Sequence, residues 1–481
     1  MGSSGKATRP NILLIHTEHH RGDALGCAGH PVLLTPNMDT IAQQGARLTR
    51  FYSACPTCIA TRRTMLTGQD PQTHGLVGYQ DGLEWDGVPT LPGILREHGY
   101  QTVHIGRDMH QYPPRKGYGF EWMETMEDYR QWLRDQSPRH GIDEWFGGGV
   151  MHNDWTVHPW HLDEDLHATN WTIERALRFV AKRDPSRPFF LSLGFIAAHP
   201  PFQPPAFYLE RYLRTGVPEP LIGDWATAPT AETAGSEDYV SSHLIDLPTE
   251  AMLSMRAAYY GLLNHVDDQL RRLINPINGL RHRADTIIIL TSDHGEMLGD
   301  HYRFRKSVAY EGAACVPFLI SAPPAFGIPR GHVSDVLATH ADLMPTLLDM
   351  LDLSMPASVD GVSLYPQLRG MAPATRRPWL HIEHSPHHQC LTDGREKYIW
   401  WPADGREQLF DLAHDPRELH DLSRGAAVDA HIAGRLALWR ERLIDRLRDR
   451  PEGFVRADRL VPGRPYGPVI PTVSSQKDRG L

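Results

Sequence analysis

The sequence predicts an α/β protein: a large, mostly parallel sheet flanked by helices, with a smaller C-terminal α+β domain. Continuous apolar runs at residues 11–17, 188–196 and 285–292 are typical of strands that are covered on both faces of a parallel sheet. Segments with helical periodicity separate these runs, and this alternation favours a parallel rather than an antiparallel sheet.

The other predicted elements of the large domain continue this alternation. Helices are predicted at 35–45, 91–99, 171–182, 249–274 and 341–351, and further strands at 101–105 and 316–320. Two stretches, 112–166 and 216–247, show little periodicity. The first is rich in Trp, His, Gly and Asp and is interpreted as a long insertion at the mouth of a site.

The C-terminal part predicts a second, smaller unit. Short strands at 379–383, 397–401 and 408–412 precede a helix at 430–448. We therefore predict a large α/β domain at 1–355, a small α+β domain at 375–450 and an extended arm at 451–481. The arm carries apolar side chains, so it is expected to pack on its own body or on a neighbouring subunit of a homo-oligomer; these are Phe454, Val461, Tyr466, Val469 and Ile470.

Composition excludes several classes of partner. The chain of 481 residues is 41% hydrophobic and 22% charged with a net charge of −9, so no nucleic acid and no membrane partner is expected. Its five cysteines are odd in number and scattered, which indicates a reducing compartment. The apolar run at 12–15 is too short for a signal peptide, and a cytoplasmic location is predicted.

The most informative stretch is 55–68. It predicts a turn and then a helix that begins at Cys58, with Arg62 one turn later and Gly68 at its end. A helix N-terminus favours an anion, and the arginine fork suits sulfate or phosphate. The same position predicts a depressed pKa for the Cys58 thiol. A structural or metal-binding Cys-x-x-Cys is the plainer alternative, but it leaves Arg62 unexplained and no second such pair exists.

The stretch Cys58-Ile-Ala60-Thr61-Arg62-x-x-x-Leu-Thr-Gly68 resembles the signature of type I sulfatases, Cys-x-Pro-Ser-Arg-x-x-x-Leu-Thr-Gly. These enzymes belong to the alkaline phosphatase superfamily, and phosphonate monoester hydrolases are their close relatives. In this family a maturation enzyme oxidises the cysteine to formylglycine, an aldehyde whose hydrate is the nucleophile. Cys58, with arginine four residues later, matches the modified cysteine, whereas Cys55 does not. Ala60 and Thr61 depart from the proline and serine of the pattern.

Two predicted strands end in a carboxylate followed by an imidazole, Glu18-His19 and Asp293-His294. The resemblance implies that these four residues and Cys58 bind one divalent metal ion. Two carboxylates with imidazole nitrogen favour manganese or zinc, with calcium and magnesium as alternatives. In a second interpretation His19 turns away, and only the other three residues bind the ion with residue 58.

The resemblance also extends to groups that contact the substrate. Lys306 matches the family lysine that contacts the sulfate, and His199 is the preferred general acid because imidazole titrates nearest neutral pH. His110 matches a family histidine in a segment where Arg107 replaces lysine. With Arg62, these residues imply attack on sulfur by the formylglycine hydrate and protonation of the departing alcohol by His199 or Lys306.

The predicted function is hydrolysis of a small organic sulfate ester to an alcohol and sulfate by formylglycine derived from Cys58. A phosphonate monoester or phosphodiester hydrolase with the same site is the first alternative. A non-catalytic anion-binding protein with unmodified Cys58 is the second. The resemblance covers residues from about 10 to 421 and implies an alkaline phosphatase-like fold with catalytic residues in 1–355.

Overall fold

The computed structural model describes residues 9–136, 153, 155–230, 243–279, 285–372 and 377–471. The strands are β1 (Asn11–Thr17), β2 (Ala46–Tyr52), β3 (Gln101–Gly106), β4 (Trp122–Thr125), β5 (Phe189–Gly194), β6 (Thr286–Ser292), β7 (Phe318–Ser321), β8 (His332–Thr339), β9 (Leu380–His384), β10 (His388–Thr392), β11 (Glu396–Trp400), β12 (Glu407–Asp411), β13 (Val455–Arg456) and β14 (Arg459–Leu460). The helices are α1 (Pro36–Gln44), α2 (Cys58–Thr67), α3 (Pro71–His74), α4 (Leu91–Glu97), α5 (Met126–Gln136), α6 (Ala168–Lys182), α7 (Ala206–Thr215), α8 (Thr249–Gly279), α9 (Glu311–Ala314), α10 (Leu343–Met350), α11 (Tyr365–Leu368) and α12 (Ala430–Leu447).

An eight-stranded sheet forms the large domain, in the order β4-β3-β5-β1-β6-β7-β2-β8. Only β7 runs antiparallel to its two neighbours. Every residue of β1 is buried, and successive side chains enter different cores: Leu13 lies in one cluster and Leu14 in the other. The sequence prediction of a large, mostly parallel sheet with helices on both faces is therefore confirmed.

Several elements were not predicted from the sequence. The stretch interpreted as an irregular insertion contains β4 and α5, and residues 137–152 and 154 of it lie outside the described residues. Strands β2 and β8 were missed because polar and charged side chains interrupt their apolar residues, and α7 was missed as well. In the second irregular stretch, residues 231–242 lie outside the described part of the chain.

The smaller sheet is antiparallel, in the order β12-β11-β10-β9, and α12 packs against it. This confirms the predicted C-terminal α+β unit, although β10 was not predicted. The buried Lys397 Nζ of β11 ties the two parts together, because it donates to Ala309 O at 2.7 Å and contacts Glu311 and Glu418 at 2.7 and 2.8 Å. Among the described helices, none combines the length and the apolar composition that a bilayer span requires.

The C-terminal arm runs back over the body of the same chain as far as residue 471, where the described part ends. Phe454 is fully buried and stacks on Tyr466 at 4.1 Å between ring centroids. Further on, Ile470 N donates to Gly75 O at 2.9 Å, and Val469 packs in the apolar cluster of Cys55. The arm thus packs against the apolar cluster that contains Cys55 and the first turn of α2. The predicted homo-oligomer stays a prediction.

We expect Phe454→Ala to lower the free energy of unfolding by about 3–5 kcal/mol, the usual cost of removing a fully buried phenylalanine. The thermal midpoint measured by calorimetry should fall accordingly. Arg456→Ala, at an exposed position of the same arm, is the control and should leave the midpoint unchanged. An unchanged midpoint in Phe454→Ala would mean that the arm does not stabilise the fold.

Candidate active site

Helix α2 begins at Cys58, as predicted. Thr57 precedes it in extended conformation, and Gly68 ends it with a left-handed φ of 67° while its N–H donates to Thr64 O at 2.9 Å. Every residue of α2 is buried. Ser307 N donates to Pro56 O at 3.0 Å, which holds the turn before the helix against the loop of Lys306.

The parallel register of β1 and β6 brings the two predicted acidic strand ends together. Thr17 pairs with Ser292, so Glu18 and Asp293 leave the same edge of the sheet as neighbours. Strand β5 lies on the other side of β1, and Ala198 N donates to Glu18 O at 2.8 Å, which places His199 at this edge as well. Residues far apart in the chain therefore meet where the sequence analysis expected them.

Arg62 joins the two carboxylates. One of its terminal nitrogens donates to Glu18 Oε1 at 2.9 Å and to Asp293 Oδ2 at 3.2 Å, and all three side chains are fully buried. Arg107 Nε lies 3.1 Å from Glu18 Oε2. Burial by itself would raise the pKa of Glu18, but Arg107 and Arg62 lower it to about 2. Burial opposes the ionisation of Asp293 too, yet His294 and Arg62 hold its pKa well below the usual range.

Potential metal ligands form two overlapping groups among the described residues. Cys58, Asp293 and His294 place ligand atoms within 4.8 Å of one another, and so do Glu18, Cys58 and His110. His294 Nδ1 donates to Gly295 O at 2.9 Å, so its Nε2, which lies 3.2 Å from Cys58 Sγ, carries the lone pair. Burial lowers the pKa of His294 to about 4, so this imidazole is neutral and able to bind a cation.

The expectation of a depressed pKa for the Cys58 thiol is wrong. Its pKa is raised to about 12, chiefly by burial; the nearby carboxylates of Asp293 and Glu18 act in the same direction, and Lys306 and Arg62 oppose them. The two nearby cations do not overcome the loss of solvent. Unmodified Cys58 is therefore a neutral thiol at physiological pH and a poor nucleophile.

His19 lies between the carboxylate of Glu296 and the ammonium of Lys306. Its Nδ1 is 2.7 Å from Glu296 Oε2, and its Nε2 is 3.0 Å from Lys306 Nζ, which also donates to Cys58 Sγ at 3.0 Å. Because a lysine ammonium only donates, Nε2 accepts and Nδ1 donates to the carboxylate. Both nitrogens are thus engaged, and His19 belongs to neither group of potential ligands.

His110 and His199 also border this cluster. His110 Nε2 is 3.2 Å from a terminal nitrogen of Arg107, whose Nε faces Glu18, so both residues of that segment reach the site. The ring of His199 stands edge-on to that of His19, with 4.5 Å between centroids. No role for Glu296 was predicted from the sequence. Its place in the Asp293-His294-Gly-Glu296 run was the only available signal.

This arrangement suits an enzyme that acts on the ester of a small tetrahedral oxyanion. Two buried carboxylates and a neutral imidazole can bind a cation, while Lys306 and Arg107 provide positive charge for an anionic group beside residue 58. Comparison with known proteins shows which family within this class of enzymes the chain resembles. Residues 10–353 match the sulfatase family, and residues 299–442 match the C-terminal region of N-sulphoglucosamine sulphohydrolase.

Individual relatives are similar to this chain over most of its length. An arylsulfatase of Clostridium perfringens is 36% identical over 95% of this chain and 98% of its own length. A choline-sulfatase of Rhizobium meliloti is 29% identical over 86% of this chain and 82% of its own. The crystal structure of a phosphonate monoester hydrolase of Agrobacterium radiobacter has a TM-score of 0.77 at 25% identity and covers 91% of this chain and 95% of its own. The chain belongs to the sulfatase family. It is a sulfuric ester hydrolase.

Proposed function

We propose that the protein hydrolyses a small organic sulfate ester through formylglycine made from Cys58. The observation that carries this proposal is the position of Cys58 Sγ, 3.0 Å from Lys306 Nζ and 3.2 Å from His294 Nε2, beside Asp293 and Glu18. In the structure residue 58 is cysteine, and its sulfur marks where the aldehyde oxygens would stand. A formylglycine-generating maturation enzyme is the implied partner, and a cytoplasmic location stays a prediction.

The residues present fit a divalent metal ion. Glu18 Oε2 is buried and makes no aligned hydrogen bond, although Arg107 Nε lies 3.1 Å away, and the carboxylate of Asp293 and Nε2 of His294 converge on residue 58. We infer that these three residues would hold the ion together with residue 58, and that His110, whose ligand atom lies within 4.8 Å of those of Glu18 and Cys58, would offer a further donor. When bound, the ion supplies Lewis acidity beside residue 58. The donor set of two carboxylates and imidazole favours manganese or zinc over calcium.

Arg62 acts on the carboxylates rather than on the substrate. It is fully buried, spans Glu18 and Asp293, and donates to the backbone oxygen of Asp108 as well. It therefore fixes the spacing of the two acids and offsets their mutual repulsion.

The hydrate of formylglycine supplies one hydroxyl to attack sulfur and a second to expel sulfate.

Lys306 is placed to serve the reacting group directly. Its ammonium lies at residue 58, where it neutralises charge on the sulfate and can donate a proton to the departing alcohol. His199 is the other candidate for that proton, as the sequence analysis expected. His19 holds Lys306 in place, and Glu296 fixes the His19 ring in turn.

Phosphonate monoester hydrolysis is the second candidate function. The likeness to the Agrobacterium radiobacter phosphonate monoester hydrolase, with its TM-score of 0.77, favours it over a non-catalytic anion-binding role. Turnover of 4-nitrophenyl sulfate and of a 4-nitrophenyl phosphonate monoester, measured side by side, tests the assignment. We expect the larger kcat/KM for the sulfate, and the opposite order would reassign the enzyme.

We expect His19→Ala to lower kcat roughly 10- to 100-fold while the metal content stays that of the wild type. The reason is that His19 contacts Glu296 and Lys306, so its loss frees Lys306 without removing a ligand atom. Elemental analysis after dialysis and steady-state kinetics measure the two quantities. Loss of metal in His19→Ala would instead show that His19 is a ligand, the first interpretation from the sequence.

A further inference from the structure

A cavity of about 200 Å³ opens beside Lys306 at the boundary between the two sheets. The loop of the large domain supplies Arg303 and Lys306 to its wall. The small domain supplies His387, from the turn between β9 and β10, and Trp401, which follows β11. Because Lys306 Nζ also contacts Cys58 Sγ, the cavity borders the position of the reacting ester.

Arg303 is held in place but its charge is not neutralised. Its guanidinium lies over the rings of Tyr310 and Trp401, at 5.4 Å from each centroid, and its Nε is buried without a hydrogen-bond partner. In the described part of the chain no carboxylate lies within ion-pair distance of it, and none lines the cavity. The two aromatic rings thus orient the Arg303 guanidinium, which has no carboxylate partner among the described residues.

The two imidazoles of the wall add polarity without charge. Burial and the nearby Arg305 lower the pKa of His243 to about 4, and burial and Arg303 lower the pKa of His387. At neutral pH both rings are neutral, so the positive charge of the cavity comes from Arg303 and Lys306. Lys306 serves the sulfate in the proposed mechanism, which leaves Arg303 for another group of the substrate.

We propose that this cavity binds the alcohol part of the sulfate ester and that Arg303 selects an alcohol with a second anionic group, a carboxylate or a second sulfate. The inference rests on the proposed function, because Lys306 locates the sulfate end of the substrate. An unpaired guanidinium gains a charge-assisted hydrogen bond from such a group, whereas a neutral alcohol leaves it unpaired.

Substrate pairs that differ in one charge test this assignment. 4-(Sulfooxy)benzoate and 4-(sulfooxy)benzenesulfonate are each compared with methyl 4-(sulfooxy)benzoate, whose alcohol part is uncharged. The carboxylate and the sulfonate distinguish carboxylate from sulfate-like recognition. We expect the ratio of kcat/KM, anionic over neutral, to fall about 10- to 100-fold in Arg303→Gln for the preferred anion. Arg303→Lys should restore part of the ratio.

Arg406→Gln is the matched control. Arg406 lies over Trp401, one of the two rings that Arg303 contacts, at 4.6 Å from the centroid, but it does not line the cavity. Its removal should leave the ratio unchanged. An Arg303→Gln variant that hydrolyses both esters with the wild-type ratio overturns the inference.

Binding of 4-hydroxybenzoate and 4-hydroxybenzenesulfonate to the purified enzyme, measured by calorimetry, needs no turnover. Binding weakened by Arg303→Gln supports the cavity assignment even if no sulfate ester is hydrolysed, and that absence of hydrolysis would then count against the proposed function alone. Binding of both that is indifferent to Arg303 overturns the assignment.

Discussion

Cys58→Ala is expected to reduce sulfate ester hydrolysis by at least about 10⁴-fold, because the proposed nucleophile is made from this side chain. Cys55→Ala should retain activity. Cys55 packs with Ile59 and Leu76 beneath the helix, and its sulfur belongs to neither group of potential ligands among the described residues. The two cysteines are three positions apart, so the pair separates a chemical role from a structural one.

Mass spectrometry of the peptide that contains residue 58 provides the independent measurement. Active protein should show loss of sulfur and two hydrogens and gain of one oxygen. Full activity in protein whose Cys58 is entirely thiol would contradict the mechanism. The high pKa of the buried thiol makes that outcome chemically unfavourable, since little thiolate exists at neutral pH.

Ala60→Pro tests whether residue 60 affects the conversion of Cys58 to formylglycine. In a host with only a proline-requiring maturation enzyme, the substitution should raise the converted fraction of residue 58. The fold can accept proline here, because the first bond of the helix runs from Thr61 N to Thr57 O and residue 60 donates none within the helix. An unchanged fraction would mean that position 60 does not limit conversion.

Glu18→Gln is expected to abolish metal retention and to lower thermal stability. Glu18 is fully buried and faces both Arg62 and Arg107, so an amide in its place removes a ligand. Among the described residues, Asp293 then remains as the carboxylate paired with the buried Arg62, and Asp108 as the one paired with the partly buried Arg107. Breaking a buried ion pair in this way costs about 3–5 kcal/mol. Elemental analysis after dialysis and the thermal midpoint measure the two effects.

Glu18→Asp is the matched control. It keeps the charge and shortens the reach by one methylene, so it should retain most of the stability and part of the metal. Chelated wild-type enzyme should recover more activity with manganese or zinc than with calcium. Wild-type metal content in Glu18→Gln would exclude Glu18 as a ligand, and the highest recovery with calcium would contradict the inferred donor set.

Local sequence was sufficient for the parts of the site that depend on local structure. The buried apolar runs predicted β1 and β6, and parallel strands end at one edge, so Glu18 and Asp293 were correctly expected to meet. The turn, the cap position and Gly68 likewise predicted a helix that begins at Cys58. The helix prediction uses backbone preferences within about ten residues, whereas the expected meeting of the two acids also used the general rule that parallel strands end at one edge of a sheet.

Contacts between distant residues were decided by the tertiary structure. His19 and Glu296 are 277 positions apart, and no local pattern shows that both nitrogens of His19 are engaged. Arg107 reaches Glu18 only because β3 and β5 align beside β1. The edge strand β8 exists through its pairing with β2 rather than through its own composition.

The pKa of Cys58 likewise depends partly on local sequence and partly on the tertiary structure. The sequence determined that the residue begins a helix with Arg62 one turn away, and both features lower a thiol pKa. Only the folded structure determined how completely water is excluded and how near Glu18 and Asp293 lie, and these outweigh the cations Lys306 and Arg62. The balance reverses because the cost of burying a charge depends on all surrounding atoms, not on the adjacent residues of the chain.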